Sequence, residues 1–353
     1  MHPRDFIRLI GGTAMTRRAG RAQTKAGAPM GRRRFLRAIV GSTVLLRGVA
    51  TAAAKSRVIG IIHPTTAVMD RRRVDAFLKT MEELGWIEGH NLEIHYRYAE
   101  GGTEHLSDLA LDFVKAKVDV IITSGTPPTL AARNATSSIP IVFTSVGDPV
   151  GAGLVSSLAH PGGNITGLSL QAADAASKRV GLLREILPGL HRLAILANST
   201  NASTQAEMRE AQSAALALSI EPIPAEIHSA EEIETTMKAL DGRAEAIYVC
   251  NDILVSMSRA RIGELALSRR LPTVCVAREY VEAGHLISYG ADFVDLYRRT
   301  AALVDRVLRG QNPGDLPVEQ PTKFELVINQ KIAKQLGLII PSIIVARADE
   351  IIE

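Results

Sequence analysis

The chain of 353 residues is too long for one ordinary hydrophobic core and long enough for two domains of roughly 150 residues each. Its content of 46% hydrophobic and 22% charged residues is that of a globular protein and excludes the disordered and fibrous classes. The net charge of +4 is misleading, because residues 1–54 hold eleven of the 41 basic and one of the 37 acidic side chains; the remainder carries −6, which excludes an electrostatic nucleic-acid surface.

The first 54 residues have the pattern of an export signal. The segment 31–37 contains four arginines around a Phe-Leu pair, a mildly apolar stretch follows at 38–50, and three alanines stand at 52–54. A charged region, a short apolar region and small residues at the end are typical of a secretory signal, and the paired arginines resemble the twin-arginine variant. We predict cleavage and a soluble periplasmic protein; the general secretory route and a basic surface helix are the alternatives.

From residue 57 onward, short β-branched apolar runs alternate with longer amphipathic segments, which is the pattern of βα units in a parallel sheet. Five strands are predicted first, at 57–62, 92–98, 118–123, 141–145 and 164–168, with helices at 74–85, 105–115 and 129–136. The pattern then begins again, with strands at 192–197, 221–226, 246–250, 273–276 and 286–289 and helices near 175–187, 202–218, 230–240, 256–269 and 294–309. Two successive five-strand, doubly wound α/β units are the simplest account.

The end of the chain does not fit two units in a row. A Pro/Gly-rich connection at 310–317 is followed by an apolar strand at 324–328 and a helix at 330–336. A chain that crosses between the units more than once explains these late elements. Several crossovers side by side form a hinge, because they can bend together while each unit stays rigid.

Several motifs occur in the order known from one protein family. They are EELGWIEGHNL at 82–92, VDVII at 118–122, SGTP at 124–127, IPIVF at 139–143, GDPV at 147–150, PGGNITG at 161–167 and LPVEQPTKFELVIN at 316–329. This set resembles the substrate-binding proteins of ATP-binding-cassette (ABC) transporters related to the tryptophan-binding TrpX type.

The resemblance implies the type I periplasmic-binding fold, with two Rossmann-like lobes, three crossovers, a ligand in the cleft and an ABC permease as partner. We place lobe one at 57–168 plus 290–318 and lobe two at 169–289 plus 319–353. The hinge then lies near Leu168, Gly290 and Val318. No cofactor or metal is expected, and we expect a monomer.

In open parallel sheets, ligands bind beyond the carboxyl ends of the strands, where helix N-termini present N–H groups and a partial positive charge. The residues in such positions in lobe one are His63, Thr65, Ser124, Gly125, Thr126, Val146 and Asp148. Ser124 and Thr126 precede a helix start with two prolines, which suits binding of a carboxylate; a cap that only closes the helix is the alternative.

The corresponding residues of lobe two are Asn198, Ser199, Thr200, Asn251, Asp252 and Arg278. A ligand ammonium would favour Asp148 or Asp252, and Arg278 could hold a carboxylate with two nitrogens. Each charged residue could equally form a turn or face solvent. The resemblance suggests an amino acid as the ligand, but the sequence does not place any tyrosine in the cleft.

Other functions find less support. The nine histidines are scattered without a metal-binding or catalytic spacing, and neither a Gly-x-Ser-x-Gly elbow nor a phosphate-binding Gly-x-x-x-x-Gly-Lys motif occurs. An enzyme is therefore the weaker alternative, and a sensor that feeds a membrane receptor is a third. Cys250 and Cys275 lie in apolar strands, as buried thiols or as a disulfide.

Overall fold

The computed structural model describes residues 56–353, so the predicted signal segment lies outside the described residues. The first sheet is wholly parallel, in the order β2-β1-β3-β4-β5. Its strands are β1 (Arg57–His63), β2 (Leu92–Tyr98), β3 (Val120–Ser124), β4 (Ile141–Val146) and β5 (Ile165–Ser169). The helices α1 (Ala67–Glu83), α2 (Leu106–Ala116) and α3 (Thr126–Ala135) connect them.

The second sheet has seven strands in the order β12-β11-β10-β9-β8-β6-β7. They are β6 (Arg192–Asn198), β7 (Glu221–Ile227), β8 (Ala246–Val249), β9 (Thr273–Cys275), β10 (Ile287–Ala291), β11 (Phe324–Asn329) and β12 (Glu350–Ile352). The helices that follow β5 are α4 (Ala176–Ile186), α5 (Ala202–Ala217), α6 (Glu232–Lys238), α7 (Ile253–Met257), α8 (Arg259–Ser268), α9 (Arg278–Glu282), α10 (Phe293–Leu308), α11 (Gln330–Leu336) and α12 (Ser342–Val345). Only β11 runs antiparallel to its neighbour β10 among the described strands.

We call the layer built on the first sheet lobe one and the layer built on the second sheet lobe two. The chain passes between them three times: after β5, after β10, and before β11. Helix α10 packs on α1 and β4 and therefore belongs to lobe one, although it follows a strand of lobe two.

The three crossovers lie side by side. The amide of Ser169 donates to the carbonyl of Glu319 (2.9 Å), and the amide of Asp292 donates to that of Lys323 (3.1 Å). Backbone hydrogen bonds thus join the first crossover to the third and the second to the third. The predicted hinge residues Leu168, Gly290 and Val318 lie in or next to these segments; the hinge motion and the exact lobe boundaries stay predictions.

Some predicted helices and strands differ from the structure in where they begin, where they break or how many there are. Helix α1 begins seven residues before the predicted start, because the Thr66 side chain caps it by accepting from the Met69 amide. The predicted helix 256–269 is two helices, α7 and α8, which meet at Ser258. The second sheet has seven strands, because β11, which corresponds to the late strand predicted at 324–328, and β12, which was not predicted, extend the five predicted strands.

Cys250 and Cys275 are free thiols. The register pairs Tyr248 with Val274, so Cys275 lies level with Val249 and its side chain points to the opposite face of the sheet from that of Cys250. The two thiols accordingly belong to different hydrophobic clusters. Within residues 56–353, no helix is long and apolar enough to cross a membrane.

Candidate functional site

A cavity lies between the lobes, where the carboxyl ends of strands from both sheets face each other. It opens to solvent on one side and is lined by residues of both lobes. Lobe one contributes Pro64, Thr65, Arg73, Ser124, Gly125, Thr126, Pro127, Ser145, Gly147 and, from α10, Phe293. Lobe two contributes Asn201, Ser203, Asn251, Asp252, Ile253, Ser256, Ala277 and Tyr280.

The N-terminus of α3 forms a hydroxyl-rich wall of the cavity. Gly125 turns the chain from β3 into the helix with a φ of 82°, a conformation that favours glycine, and its amide donates to the Thr144 carbonyl (2.9 Å). Two prolines follow Thr126 and have no N–H to offer. The polar groups at this wall are therefore the Thr126 amide and the hydroxyls of Ser124 and Thr126.

Asp252 forms the opposite polar wall and is 6% exposed. It caps α7 by accepting from the Leu254 amide (2.8 Å), and it also accepts from the side-chain amides of Asn198 (3.0 Å) and Asn201 (2.9 Å). These donors are neutral, and the described part of the chain gives Asp252 no ion pair. The result is a rigidly held carboxylate whose charge has no cationic partner at the edge of the cavity.

Arg73 brings a positive charge to the cavity, but two carboxylates balance it. Its Nη2 donates to Glu279 Oε1 (2.6 Å), its Nη1 to Asp70 Oδ1 (3.4 Å), and its guanidinium lies 4.2 Å from the Phe293 ring centroid. Burial raises the pKa of Glu279, yet the charge of Arg73 more than offsets this and holds the pKa below its ordinary value. The Arg73 charge is thus already paired, and Asp252 is the charged lining residue without an ion pair.

The lobes touch each other on both sides of the cavity. On one side, the hydroxyls of Thr126 and Ser203 share a hydrogen bond of 2.9 Å. On the other side, Arg73 binds Glu279, and a second pair joins Arg72 to Glu282 at 2.7 Å nearer the surface. These contacts correspond to a closed arrangement of the two lobes.

The structure brings six of the residues predicted from strand ends to the cavity wall: Thr65, Ser124, Gly125, Thr126, Asn251 and Asp252. They come from three loops that are distant in sequence. The other predicted residues do not line the cavity.

In lobe one, His63 is fully buried beneath the cavity, with Nδ1 3.2 Å from Asp70 Oδ2. Val146 is fully buried in the hydrophobic core. Asp148 accepts a hydrogen bond from the Gly151 amide (2.8 Å) and closes a turn.

In lobe two, Asn198 supports Asp252 from behind, whereas Ser199 shares a hydrogen bond of 3.0 Å with His228 at the surface. Thr200 donates to Asn198 Oδ1 (2.7 Å). Asn198 and Thr200 therefore lie behind Asp252 and hold it in place.

Arg278 is paired within its own lobe. Its Nη2 donates to Glu325 (3.1 Å) and Glu350 (2.7 Å), which lie on β11 and β12. Its charge is thus already paired, contrary to the prediction that Arg278 holds a ligand carboxylate.

Sequence reasoning missed cavity residues that lie in the first two turns of a helix and not at a strand end. They are Arg73 on α1, Ser203 on α5, Tyr280 on α9 and Phe293 on α10. The sequence could have predicted them from their place in the first or second turn of a helix that follows a strand, since side chains in these turns still reach the crevice.

Comparisons with known proteins agree with this architecture. A family model described as ABC transporter substrate binding protein matches residues 59–352. A tyrosine-binding protein of Clostridioides difficile (strain R20291) is 29% identical over 302 residues, which cover 84% of this chain and 86% of the relative.

Two solved structures bear on the conformation. One is the ABC domain in complex with L-Trp from Streptococcus pneumonia, with 25% identity, a TM-score of 0.80 and coverage of 84% of this chain and 100% of that one. The other is the ligand-free, open structure of a substrate-binding protein from Clostridium difficile, with 26% identity, a TM-score of 0.64 and coverage of 84% and 99%. The identities are nearly equal, so the lower TM-score with the open structure fits the closed lobes described above. The fold is that of type I periplasmic-binding proteins.

Proposed function

The chain belongs to the family of ABC transporter substrate-binding proteins, and on this premise we propose that it captures an aromatic amino acid between its lobes and delivers it to an importer. One observation carries the ligand class: Asp252, a buried carboxylate without a cationic partner, faces a wall of hydroxyls at the start of α3 across the cavity. A zwitterion matches this arrangement of charge.

The ligand ammonium binds at Asp252, and the ligand carboxylate binds at α3. An ammonium supplies the positive charge that the neighbours of Asp252 do not. The Thr126 amide and the Ser124 and Thr126 hydroxyls donate to a carboxylate, and the helix dipole favours a negative charge at this end. Asp70 and Glu279 already neutralise the charge of Arg73, so we do not assign the ligand carboxylate to Arg73.

The ligand side chain occupies the apolar part of the cavity. Phe293, Tyr280 and Ile253 line it together with Pro64 and Ala277. An aromatic side chain suits these surfaces because rings pack favourably against other rings. The tyrosine-binding relative and the relative solved with L-Trp support the same class.

Capture proceeds by closure about the three crossovers. A solute binds one lobe, the hinge near Leu168, Gly290 and Val318 bends, and the other lobe completes the hydrogen bonds. At Gly290, a Cβ atom would lie 1.9 Å from the Val276 carbonyl oxygen, so only glycine fits this crossover. The closed form is then the one that the permease recognises.

The predicted leader implies that this capture takes place in the periplasm. A ligand-sensing role at a membrane receptor is the alternative, because closure creates a recognisable surface in either case. Stimulation of the ATPase activity of a reconstituted permease by the liganded protein supports the importer; its absence, together with binding to a receptor ectodomain, supports the sensor.

The ligand proposal is tested by calorimetry on the compact unit from Ala52 to Glu353. L-tryptophan, L-tyrosine, tryptamine and indole-3-propionate are titrated separately. We expect one-to-one binding of the amino acids and a large loss of affinity for the analogues that lack the carboxylate or the ammonium.

The matched variants are Asp252→Asn and Asp148→Asn, which remove the same charge inside and outside the cavity. Asp252→Asn is expected to weaken binding by at least about 2 kcal/mol, the scale for removing one partner of a buried charge pair. Asp148→Asn is expected to leave affinity unchanged. Equal affinities of wild type and Asp252→Asn for L-tryptophan contradict the assignment of the ammonium site.

A further inference from the structure

We propose that the ion pair between Arg73 and Glu279 is a latch that holds the closed state, and that Glu279 is a positioning residue for ligand binding that does not touch the ligand. The inference rests on the proposed closure of the lobes. It adds a residue outside the cavity lining to those that set affinity.

The two partners reach across the cleft from opposite lobes. Arg73 lies on α1 of lobe one and Glu279 on α9 of lobe two. Both Nε and Nη2 of Arg73 donate to Glu279 Oε1, at 3.1 and 2.6 Å. Helix α9 directly follows a strand whose end forms the cavity wall, so any opening of the lobes separates these atoms.

The surroundings of Arg73 hold its side chain in place for this contact. The Phe293 ring supports its guanidinium from below at 4.2 Å, and Asp70, three residues earlier on the same helix, contacts Nη1. The side chains of Arg73 and Glu279 are only 15% and 22% exposed. A preordered, partly buried pair loses less entropy and is screened less than a surface pair.

The same surroundings make the latch reversible. On opening, Arg73 keeps Asp70, which belongs to its own helix, and so retains a partner for its charge. Glu279 becomes exposed to water, which solvates it. Neither charge is left buried and unpaired, and the open state is therefore not prohibitively costly.

A neighbouring pair on the same two helices provides a control. Arg72 contacts Glu282 at 2.7 Å, but the Arg72 side chain is 65% exposed and that of Glu282 35%. Exposed pairs of this kind contribute little to stability. The two pairs thus share helices, lobes and charge types and differ mainly in burial.

The test compares Glu279→Gln with Glu282→Gln in the unit from Ala52 to Glu353. Affinity and dissociation rate for L-tryptophan and L-tyrosine are measured by calorimetry and stopped flow, and the distance between the lobes by small-angle scattering with and without these ligands. We expect Glu279→Gln to weaken binding about tenfold, mainly through faster dissociation, and Glu282→Gln to stay within about twofold of wild type.

Two further measurements separate the explanations. Urea unfolding shows whether Glu279→Gln has a folding defect. If it has one, the milder Glu279→Asp variant is used in its place. We expect that variant to lose affinity as well, but by a smaller factor. If wild type binds neither amino acid, the proposed ligand is wrong, while scattering still tests the latch through a more open ligand-free Glu279→Gln. Equal affinity and equal interlobe distance in wild type and Glu279→Gln overturn the latch.

Discussion

At the scale of single residues, His285 links protonation to folding in lobe two. It is 1% exposed, its Nε2 lies 2.8 Å from the Arg259 carbonyl and its Nδ1 lies 3.2 Å from Cys275 Sγ. These contacts suit a neutral ring that donates from Nε2 and accepts from the thiol. Burial lowers the pKa of His285 from 6.5 to about 4, because the charged ring would be desolvated.

The lowered pKa of His285 makes the folded protein less stable at acidic pH. Between pH 6.5 and 4 the unfolded chain binds a proton at His285 that the folded protein does not, so stability falls as the pH falls through this window. We expect this residue to lower the free energy of unfolding by about 2 kcal/mol between pH 7 and pH 5. Urea unfolding of wild type and His285→Gln at both values checks it.

The variant is expected to show a smaller difference between the two pH values, whatever its absolute stability. Carboxyls whose pKa values are lowered, such as Asp70 and Glu279, do not interfere, because their contribution is lost only as the pH falls below their ordinary range near 4. Parallel pH profiles of wild type and variant would contradict the assignment.

The sequence pattern predicted part of the cavity wall at two of the places where a strand, a short loop and a helix start follow one another; contact of these residues with a ligand stays a prediction. Ser124 to Thr126 and Asn251 to Asp252 were placed at strand ends, and the folding of parallel strands brings them together without further information. Arg278 occupies an equivalent position, but its partners are 47 and 72 residues away on strands whose place in the sheet could not be predicted. The ends of strands identify candidate ligand-binding residues. Ion pairs with residues distant in sequence then decide which of their charges remain available to a ligand.

At the scale of elements, a buried ion pair joins the cavity to two of the crossovers. Arg179 on α4 is fully buried; its Nη2 donates to Glu207 (2.8 Å), its Nη1 to the Tyr289 carbonyl (3.2 Å), and Nη2 also to the Ala172 carbonyl. Glu207 accepts from the amide of Asn251 in the cavity wall (2.9 Å). One network therefore fixes α4, α5, the cavity loop and the segments at two crossovers.

Removal of Arg179 is expected to leave a buried charge without its partner. We predict that Arg179→Met lowers the free energy of unfolding by about 3–5 kcal/mol. Burial raises the pKa of Glu207 above its ordinary value even beside Arg179, so loss of Arg179 favours protonation of Glu207, which offsets part of this cost. Urea unfolding of Arg179→Met and of the double variant Arg179→Met, Glu207→Gln provides the comparison.

The double variant is expected to be more stable than the single one, because it no longer buries a carboxylate. If both variants unfold at the same urea concentration as wild type, the network is not a stabilising element. If the double variant is the weaker, shape and not charge dominates at this site.

Element predictions from sequence were reliable for the alternation and weak for the exceptions. The repeated βα pattern was enough to predict two parallel sheets, because each strand is a buried β-branched run. The antiparallel strand β11, the edge strand β12 and the placement of α10 on lobe one depend on the chain returning between lobes. The hydrophobic periodicity carries no information on where the chain returns to the other lobe. The Pro/Gly-rich connection at 310–317, in contrast, correctly indicated that such a return exists.

At the scale of the whole molecule, the proposed capture of a solute depends on the two lobes exchanging between open and closed arrangements. Cross-cleft contacts occur at three separate places: Thr126 with Ser203, Arg73 with Glu279, and Gly101 beside Met257. On the proposed mechanism, a solute leaves the cavity when these contacts separate. A covalent bond at one of them should therefore control ligand exchange.

Gly101 and Met257 are suited to such a bond. A Cβ atom at Gly101 would lie 3.9 Å from Met257 Cβ, close to the mean spacing of about 3.8 Å in disulfides. Neither residue lines the cavity, and the two native cysteines are buried on opposite faces of a sheet, so they do not compete for the engineered thiols. The φ of 86° at Gly101 adds strain to any side chain there, which the single variant Gly101→Cys shares.

We predict that Gly101→Cys, Met257→Cys oxidises faster with L-tryptophan bound than without it, because the ligand favours the closed state. Once oxidised with ligand inside, the protein should exchange the bound amino acid far more slowly than wild type, and reductant should restore the exchange rate. Mass spectrometry for the disulfide and release of labelled ligand for the exchange check both steps, with the two single variants as controls. Rapid exchange from the fully oxidised double variant would mean that the cavity has a route to solvent that does not require the lobes to part.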